Sequence, residues 1–143
     1  MKKFVFSLQK LYDVKQTEEE QKRKELKELG KKLDSIKDRL LSLKNTYDAQ
    51  KAKHAEDCAK GISAAGLQRY GDYFKFLIEE SSAQKKRKAE CEAQMDVCRQ
   101  ELLKLINEQK VLARMKQEQY EAYMAELAKF NEKEIEDFIQ GRI

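Results

Sequence analysis

The chain has 143 residues, 39% of them charged and 8% aromatic, with no Pro, no Trp and five Gly. That length fits one ordinary domain, but few apolar residues are left outside regularly spaced stripes, which excludes a broad globular core and leaves long helices uninterrupted. The net charge of +4 comes from 30 basic and 26 acidic residues intermixed along the chain. This describes a solvated helical exterior, not the one-sided basic face of a nucleic-acid binder, and the dense run Lys85-Lys86-Arg87-Lys88 reads as surface.

Met1 to Phe6 is a short basic and aromatic lead-in. Ser7 is placed to cap the first helix, with Phe6 and Leu11 as a hydrophobic staple, so helix one is expected over about 7–60. Within it Leu26, Leu29, Leu33, Ile36, Leu40, Leu43 and Tyr47 recur at alternating steps of three and four. Such a stripe stays buried only by winding around another helix. Extended backward, the same register puts Lys15, Glu19 and Lys22 on the seam; extended forward, it passes through Gln50, His54 and Asp57. No acidic or thiol constellation at catalytic spacing accompanies His54, which reads as a polar seam residue.

Gly61-Ile-Ser-Ala-Ala-Gly66 is the one cluster of small, flexible residues and predicts the turn. Gly61 would end helix one, and Ser63 would cap helix two with Ile62 and Leu67 as its staple. Helix two is expected over about 64–140, roughly 110 Å against roughly 80 Å for helix one. The heptad rhythm returns there in Cys91, Met95, Cys98, Leu102, Leu105 and Leu112. Pairing Ile36 with Cys91, Leu33 with Met95, Leu29 with Cys98 and Leu26 with Leu102 makes facing residue numbers add to 127 or 128. The fold expected is therefore all-α: residues 1–143 as a single antiparallel coiled-coil hairpin with the longer helix C-terminal.

The same register brings Phe4 and Leu8 opposite Tyr123 and Gln119, and leaves the chain beyond Met124 without an intrachain partner. Leu127, Phe130, Ile135, Phe138 and Ile139 keep that overhang apolar, so it is expected to bind something. The polar positions Lys15, Glu19 and Lys22 would face Leu102, Leu103, Leu105, Ile106, Val111 and Leu112, leaving apolar surface there too. Cys58, Cys91 and Cys98 are odd in number and form no CxxC pair, which argues against a disulfide framework or metal site. Seam thiols act as small hydrophobes in a reducing compartment. With no signal peptide and no apolar run near 20 residues, a cytosolic chain without membrane insertion is expected.

Just after the turn, Leu67-Gln-Arg-Tyr70-Gly-Asp-Tyr73-Phe74-Lys-Phe76-Leu77 carries aromatics on more faces than one seam can bury. They either cap the hairpin tip or form a docking patch. This stretch matches the pattern L-Q-x-Y-x-x-Y-x-x-x-L at Leu67, Gln68, Tyr70, Tyr73 and Leu77, and the opening runs Phe4-x-Phe6-x-Leu8-Gln-x-Leu11. In both respects the chain resembles the flagellar export protein FliJ family, over nearly its whole length. Glu80 departs from the family's pattern, being charged where a small or apolar residue is expected.

The resemblance implies an antiparallel α-hairpin of the flagellar type III export apparatus, similar to a rotor stalk. Such a protein is not an enzyme and needs no cofactor. It inserts its helix ends into the export ATPase hexamer, promotes assembly and activity, and contacts the export-gate membrane protein and export chaperones from the cytoplasmic side of the membrane at the flagellar base. Tyr70, Tyr73 and Leu77 become candidates for the gate contact. Phe4, Phe6, Leu8, Leu127, Phe130, Ile135 and Phe138 become candidates for the ATPase contact. From the residues alone, catalysis is excluded by the lack of any nucleophile triad, phosphate loop or pocket. The alternative is a generic scaffold that associates through Leu102 to Leu112; a monomeric hairpin is the expectation under the stalk reading.

Overall fold

The computed structural model of the chain describes residues 2–141. Two helices pack against each other: α1, Gln9–Lys60, and the longer α2, Ala64–Gly141. No strand occurs among the described residues. Packing divides the chain into two units, one spanning Lys24–Arg99 and the other joining the chain up to Arg23 to the part from Gln100 onward.

In the Lys24–Arg99 unit the turn forms as the residue types dictate. Gly61 closes α1 at φ +95°, a left-handed conformation that costs an L side chain strain, and its N–H donates to the Cys58 carbonyl at 3.3 Å. Ser63 caps α2: its Oγ accepts from the Gly66 N–H at 3.1 Å, and its carbonyl accepts from Leu67 at 3.0 Å. Ile62 packs over Gly66 so closely that a Cβ at Gly66 would lie 2.9 Å from its Cγ1. The expected staple partner Leu67 stays half exposed, so Ile62 rests on backbone instead.

The core of this unit is the predicted seam. Leu33, Ile36, Cys91 and Met95 are buried together, with Leu26, Leu29 and Leu40 packed against them. The Cys91 thiol sits within 3.4 Å of the Leu29 carbonyl, so a small side chain there lets the two helices approach closely. The buried stripe also runs through α2 where the sequence is polar. Gln84 is buried and donates to Glu80 at 3.2 Å, while Ser81 and Lys88 are half buried in the same heptad register. A lysine stem tolerates such a position because its apolar methylenes cover the seam while the ammonium reaches water.

In the other unit α1 begins later than the sequence suggests. The Leu8 carbonyl accepts the first helical bond from Tyr12 at 3.0 Å, and the preceding turn closes from the Gln9 N–H to the Phe6 carbonyl at 3.1 Å. Backbone thus supplies the start expected of Ser7. Phe6 is buried, but Leu11 remains exposed.

A second correction concerns the apolar surface expected opposite Lys15, Glu19 and Lys22. Leu102, Leu105 and Leu112 are buried, at 7 to 8% exposure, and only Leu103 and Val111 stay exposed. The polar seam positions are met by polar partners beside those leucines. Lys15 pairs with Glu108 at 2.8 Å, Lys22 with Glu101, and Gln109 donates to the Lys15 carbonyl at 3.4 Å. Long side chains reach outward around the leucines, so each stripe position holds an apolar stem beneath a charged rim.

Leu33→Asp should cost several kcal/mol by placing a carboxylate in the seam, and thermal circular dichroism should show a much earlier loss of helix. Gly30→Ala should move the other way, by about 0.5–1 kcal/mol, because Gly30 sits inside α1 with nothing within 4 Å of an added Cβ. No rise in melting temperature for Gly30→Ala would show that helix propensity does not limit α1.

Candidate partner-docking surfaces

Near the turn, in the Lys24–Arg99 unit, the aromatic cluster sorts into two parts. Tyr47, His54, Tyr70 and Phe74 face each other across the two helices. Tyr47 and Phe74 meet edge-on at 5.2 Å, and His54 lies edge-on to Tyr70 at 5.0 Å and to Phe74 at 5.8 Å. Such edge contacts add roughly 0.5–1.5 kcal/mol each beyond burial. The Tyr70 hydroxyl donates to the Asp57 carboxylate, which pushes the phenol up to about 12. These residues form a packed tip, and His54 is one of its rings. Its other contact is the Cys58 thiol, at 3.6 Å.

The second part faces solvent. Tyr73 and Phe76 stack at 6.3 Å and are 39% and 52% exposed. Of the three gate-contact candidates, Tyr73 is on this surface, Tyr70 is tied into the tip by Asp57, and Leu77 is 3% exposed on the seam. Leu77 can therefore support Tyr73 from beneath but offers little surface of its own. Arg39 approaches Glu80 at 3.9 Å, so the charged residue beside this stripe has a partner on α1.

In the other unit the lead-in lies extended against α2. Phe4 meets Tyr120 edge-on at 5.3 Å and Tyr123 at 5.6 Å, and the Tyr123 hydroxyl donates to the Lys2 carbonyl at 2.7 Å. The expected pairing of Phe4 with Tyr123 is thus present, and Lys116 adds a bond to the Gln9 side chain at 2.9 Å. Of the candidates for the ATPase contact, Phe6 is buried, and Phe4, Leu8 and Leu127 are half buried. From Ala128 to Gly141 every residue is exposed. Phe130, Ile135, Phe138 and Ile139 are 40 to 60% exposed along this last stretch of α2, an apolar face at helical spacing.

Among the described residues no group of three His, Cys, Asp or Glu side chains could hold a metal ion, and no helix is long and apolar enough to cross a membrane. Sequence reasoning found the aromatics and the end of α2. Helical spacing also sets Tyr70, Phe74 and Leu77 on one stripe with Tyr73 and Phe76 beside it, the division seen here, whereas the buried Gln84 and half-buried Ser81 carry no apolar signal.

The charged rim sets a pH dependence. The Lys15 ammonium hydrogen-bonded to Glu108 holds that carboxyl below its ordinary 4.5, and Arg23, with Gln109, does the same for Glu19. Both groups thus stabilise the fold above about pH 4.5, a contribution lost as pH falls through their depressed values. Carboxylate NMR titration should find Glu19 and Glu108 among the most acidic glutamates, with Lys15→Met returning Glu108 toward 4.5. Tyr70 acts at the other extreme. Its bond to Asp57 contributes fully below about pH 10 and is lost as pH rises through about 12. Ultraviolet titration should show one late phenol that Asp57→Asn brings back to the ordinary range; no late phenol would mean the bond is absent in solution.

No curated protein matches the chain, and neither does any solved structure. The model of one family, described as the flagellar FliJ protein, matches residues 4–142. Helical hairpin, tip aromatics and the lead-in from Phe4 onward fall inside that match, and the chain belongs to the FliJ family.

Proposed function

We propose that this chain is a non-enzymatic component of the flagellar type III export apparatus that acts as a coiled-coil stalk for the export ATPase hexamer. Membership of the FliJ family makes it a flagellar export component. The observation that carries the finer reading is the end of α2, where fourteen residues in succession, Ala128 to Gly141, are exposed while Phe130, Ile135 and Ile139 remain apolar. A helix end of this kind suits insertion into a ring of subunits, which would cover it on several sides at once.

The N-terminal lead-in, pinned to α2 by Phe4 and Tyr123, supports that end from the side. The ring contact then centres on Leu127, Phe130, Ile135 and Phe138, with Phe4 and Leu8 at its margin and Phe6 holding the lead-in from inside. The exposed pair Tyr73 and Phe76 serves as the contact for the export-gate membrane protein, with Tyr70 and Leu77 bracing it. The chain works at the cytoplasmic face of the membrane, peripheral to it, and passes export chaperones between gate and ATPase. The scaffold alternative drew on Leu102 to Leu112, where Leu102, Leu105 and Leu112 are buried and Leu103 and Val111 are exposed, so less apolar surface supports it than the sequence suggests.

Titrating the chain into the flagellar export ATPase of the same organism, with hydrolysis and ring formation read together, tests this reading. Stimulation should be saturable, should fall tenfold or more on deletion from Ala128 onward, and should be little affected by Tyr73→Ala. No stimulation by the full chain would overturn it.

A further inference from the structure

A lateral groove of about 630 Å³ runs along one side of the Lys24–Arg99 unit. Its walls are Leu40, Leu41 and Tyr47 from α1 and Ile78 from α2, and its rim carries the ammonium groups of Lys44 and Lys85. Leu41 is 58% exposed and Ile78 57%, values matched by Leu103 and Val111 elsewhere, but these two, one from each helix, line the same groove. Among the described residues lining the groove there is no acidic side chain. Neither Tyr73 nor Phe76 lines it, and although Leu77, proposed to brace the gate contact, also borders the groove, the gate and ATPase contacts leave Leu41 and Ile78 unused.

We propose that this groove receives the acidic C-terminal end of α2 from a second copy of the chain. Residues 130–139 hold four acidic side chains and one basic one, together with Ile135 and Ile139 one helical turn apart. Both isoleucines are more than half exposed. An apolar pair at this spacing, flanked by Glu132, Glu136 and Asp137, complements an apolar groove rimmed by lysines, which is how an amphipathic helix seats in a cleft. Ile78 and Lys85 of the groove and Ile135 and Ile139 all belong to α2, one unbroken helix, which cannot lay its own end against its own earlier turns. The contact is therefore made between copies. Each chain carries both surfaces, so two chains can exchange ends as a reciprocal pair or pass them on head-to-tail, and in either case association grows with concentration. Because the same end of α2 is proposed to enter the ATPase ring, ring and second copy compete for it.

A fluorescently labelled peptide of residues 128–143, titrated into the full chain and followed by anisotropy, tests the contact. Saturable binding is expected, weakened by added salt, and reduced tenfold or more by Leu41→Asp and by Ile78→Asp. Both substitutions fall on exposed side chains, and circular dichroism should show each variant folded. Lys85→Glu should weaken binding, and Glu136→Lys in the peptide should restore part of it. Light scattering of the full chain should show mass rising with concentration, abolished by Leu41→Asp. Leu41→Asp should still stimulate the ATPase, which separates failure of this contact from failure of the stalk reading. Absence of peptide binding, binding indifferent to both groove variants, or equal binding by a scrambled peptide of the same composition would overturn the assignment; the last result would mean that the groove accepts any acidic helix.

Discussion

Mutual burial of two heptad stripes is the constraint on which the rest of the molecule depends. A helix pair has no interior apart from its seam, so almost all the apolar burial available must be found at alternate steps of three and four residues. Each fully buried leucine or isoleucine contributes about 1.5–3 kcal/mol, which makes a handful of positions decisive in a protein of marginal net stability. Cys91 and Cys98 show how tightly this is set. They are the least exposed side chains of the seam, at 2% each, and stand where larger residues would push the helices apart. Since the seam takes the regular apolar positions, any large apolar side chain left outside it needs a separate explanation, and those side chains mark the surfaces proposed for partners.

The seam does not use one chemistry throughout. In the Lys24–Arg99 unit it is aliphatic and sulfur-containing, closed at the turn by interlocking rings. In the unit that holds both chain ends, Lys15, Glu19 and Lys22 occupy stripe positions and answer Glu101, Glu108 and Gln109. Ion pairs this exposed contribute little and are screened by salt. That unit is held chiefly by Phe6, Leu102, Leu105 and Leu112 beneath the charges and by the Phe4 contacts on Tyr120 and Tyr123. The charged rim contributes register more than stability, because a one-step slip would set Lys15 against Lys residues such as Lys104 instead of Glu108. Such a device matters in a chain whose heptads are otherwise alike enough to pair out of step.

What was legible in the sequence follows from the same physics. The spacing from Leu26 to Tyr47 and from Cys91 to Leu112 specifies helices and their shared face, and Gly61 with Ser63 specifies the reversal, since only a few residue types end one helix and start the next. The residues that escaped are polar ones on the stripe. Ser81, Gln84 and Lys88 keep the heptad but carry no hydrophobic signal, so the apolar rhythm of α2 reads only from Cys91 although the buried stripe reaches back to Leu77. The leucines from Leu102 to Leu112 were misjudged for the converse reason: lysines opposite them suggested no apolar cover, although a lysine stem supplies it. Ser7 was expected to cap α1 by residue type, yet the Phe6 and Leu8 carbonyls occupy the first turn because burying Phe6 fixes the path of the chain there.

The end of α2 violates a local rule. No basic residue lies in its last turn, while Glu134, Glu136 and Asp137 crowd the last turns, where the helix dipole already concentrates negative charge. Carboxylates there destabilise the helix end by a few tenths of a kcal/mol each, and Ile135 and Ile139, more than half exposed, offset it little. Deviations of this sort are expected where a partner supplies what the chain lacks. The missing complement is defined by its chemistry: an apolar surface edged with positive charge. Any ring subunit or second copy that binds the end of α2 must present those two features together, and the proposed contacts are constrained by that requirement before a partner is identified.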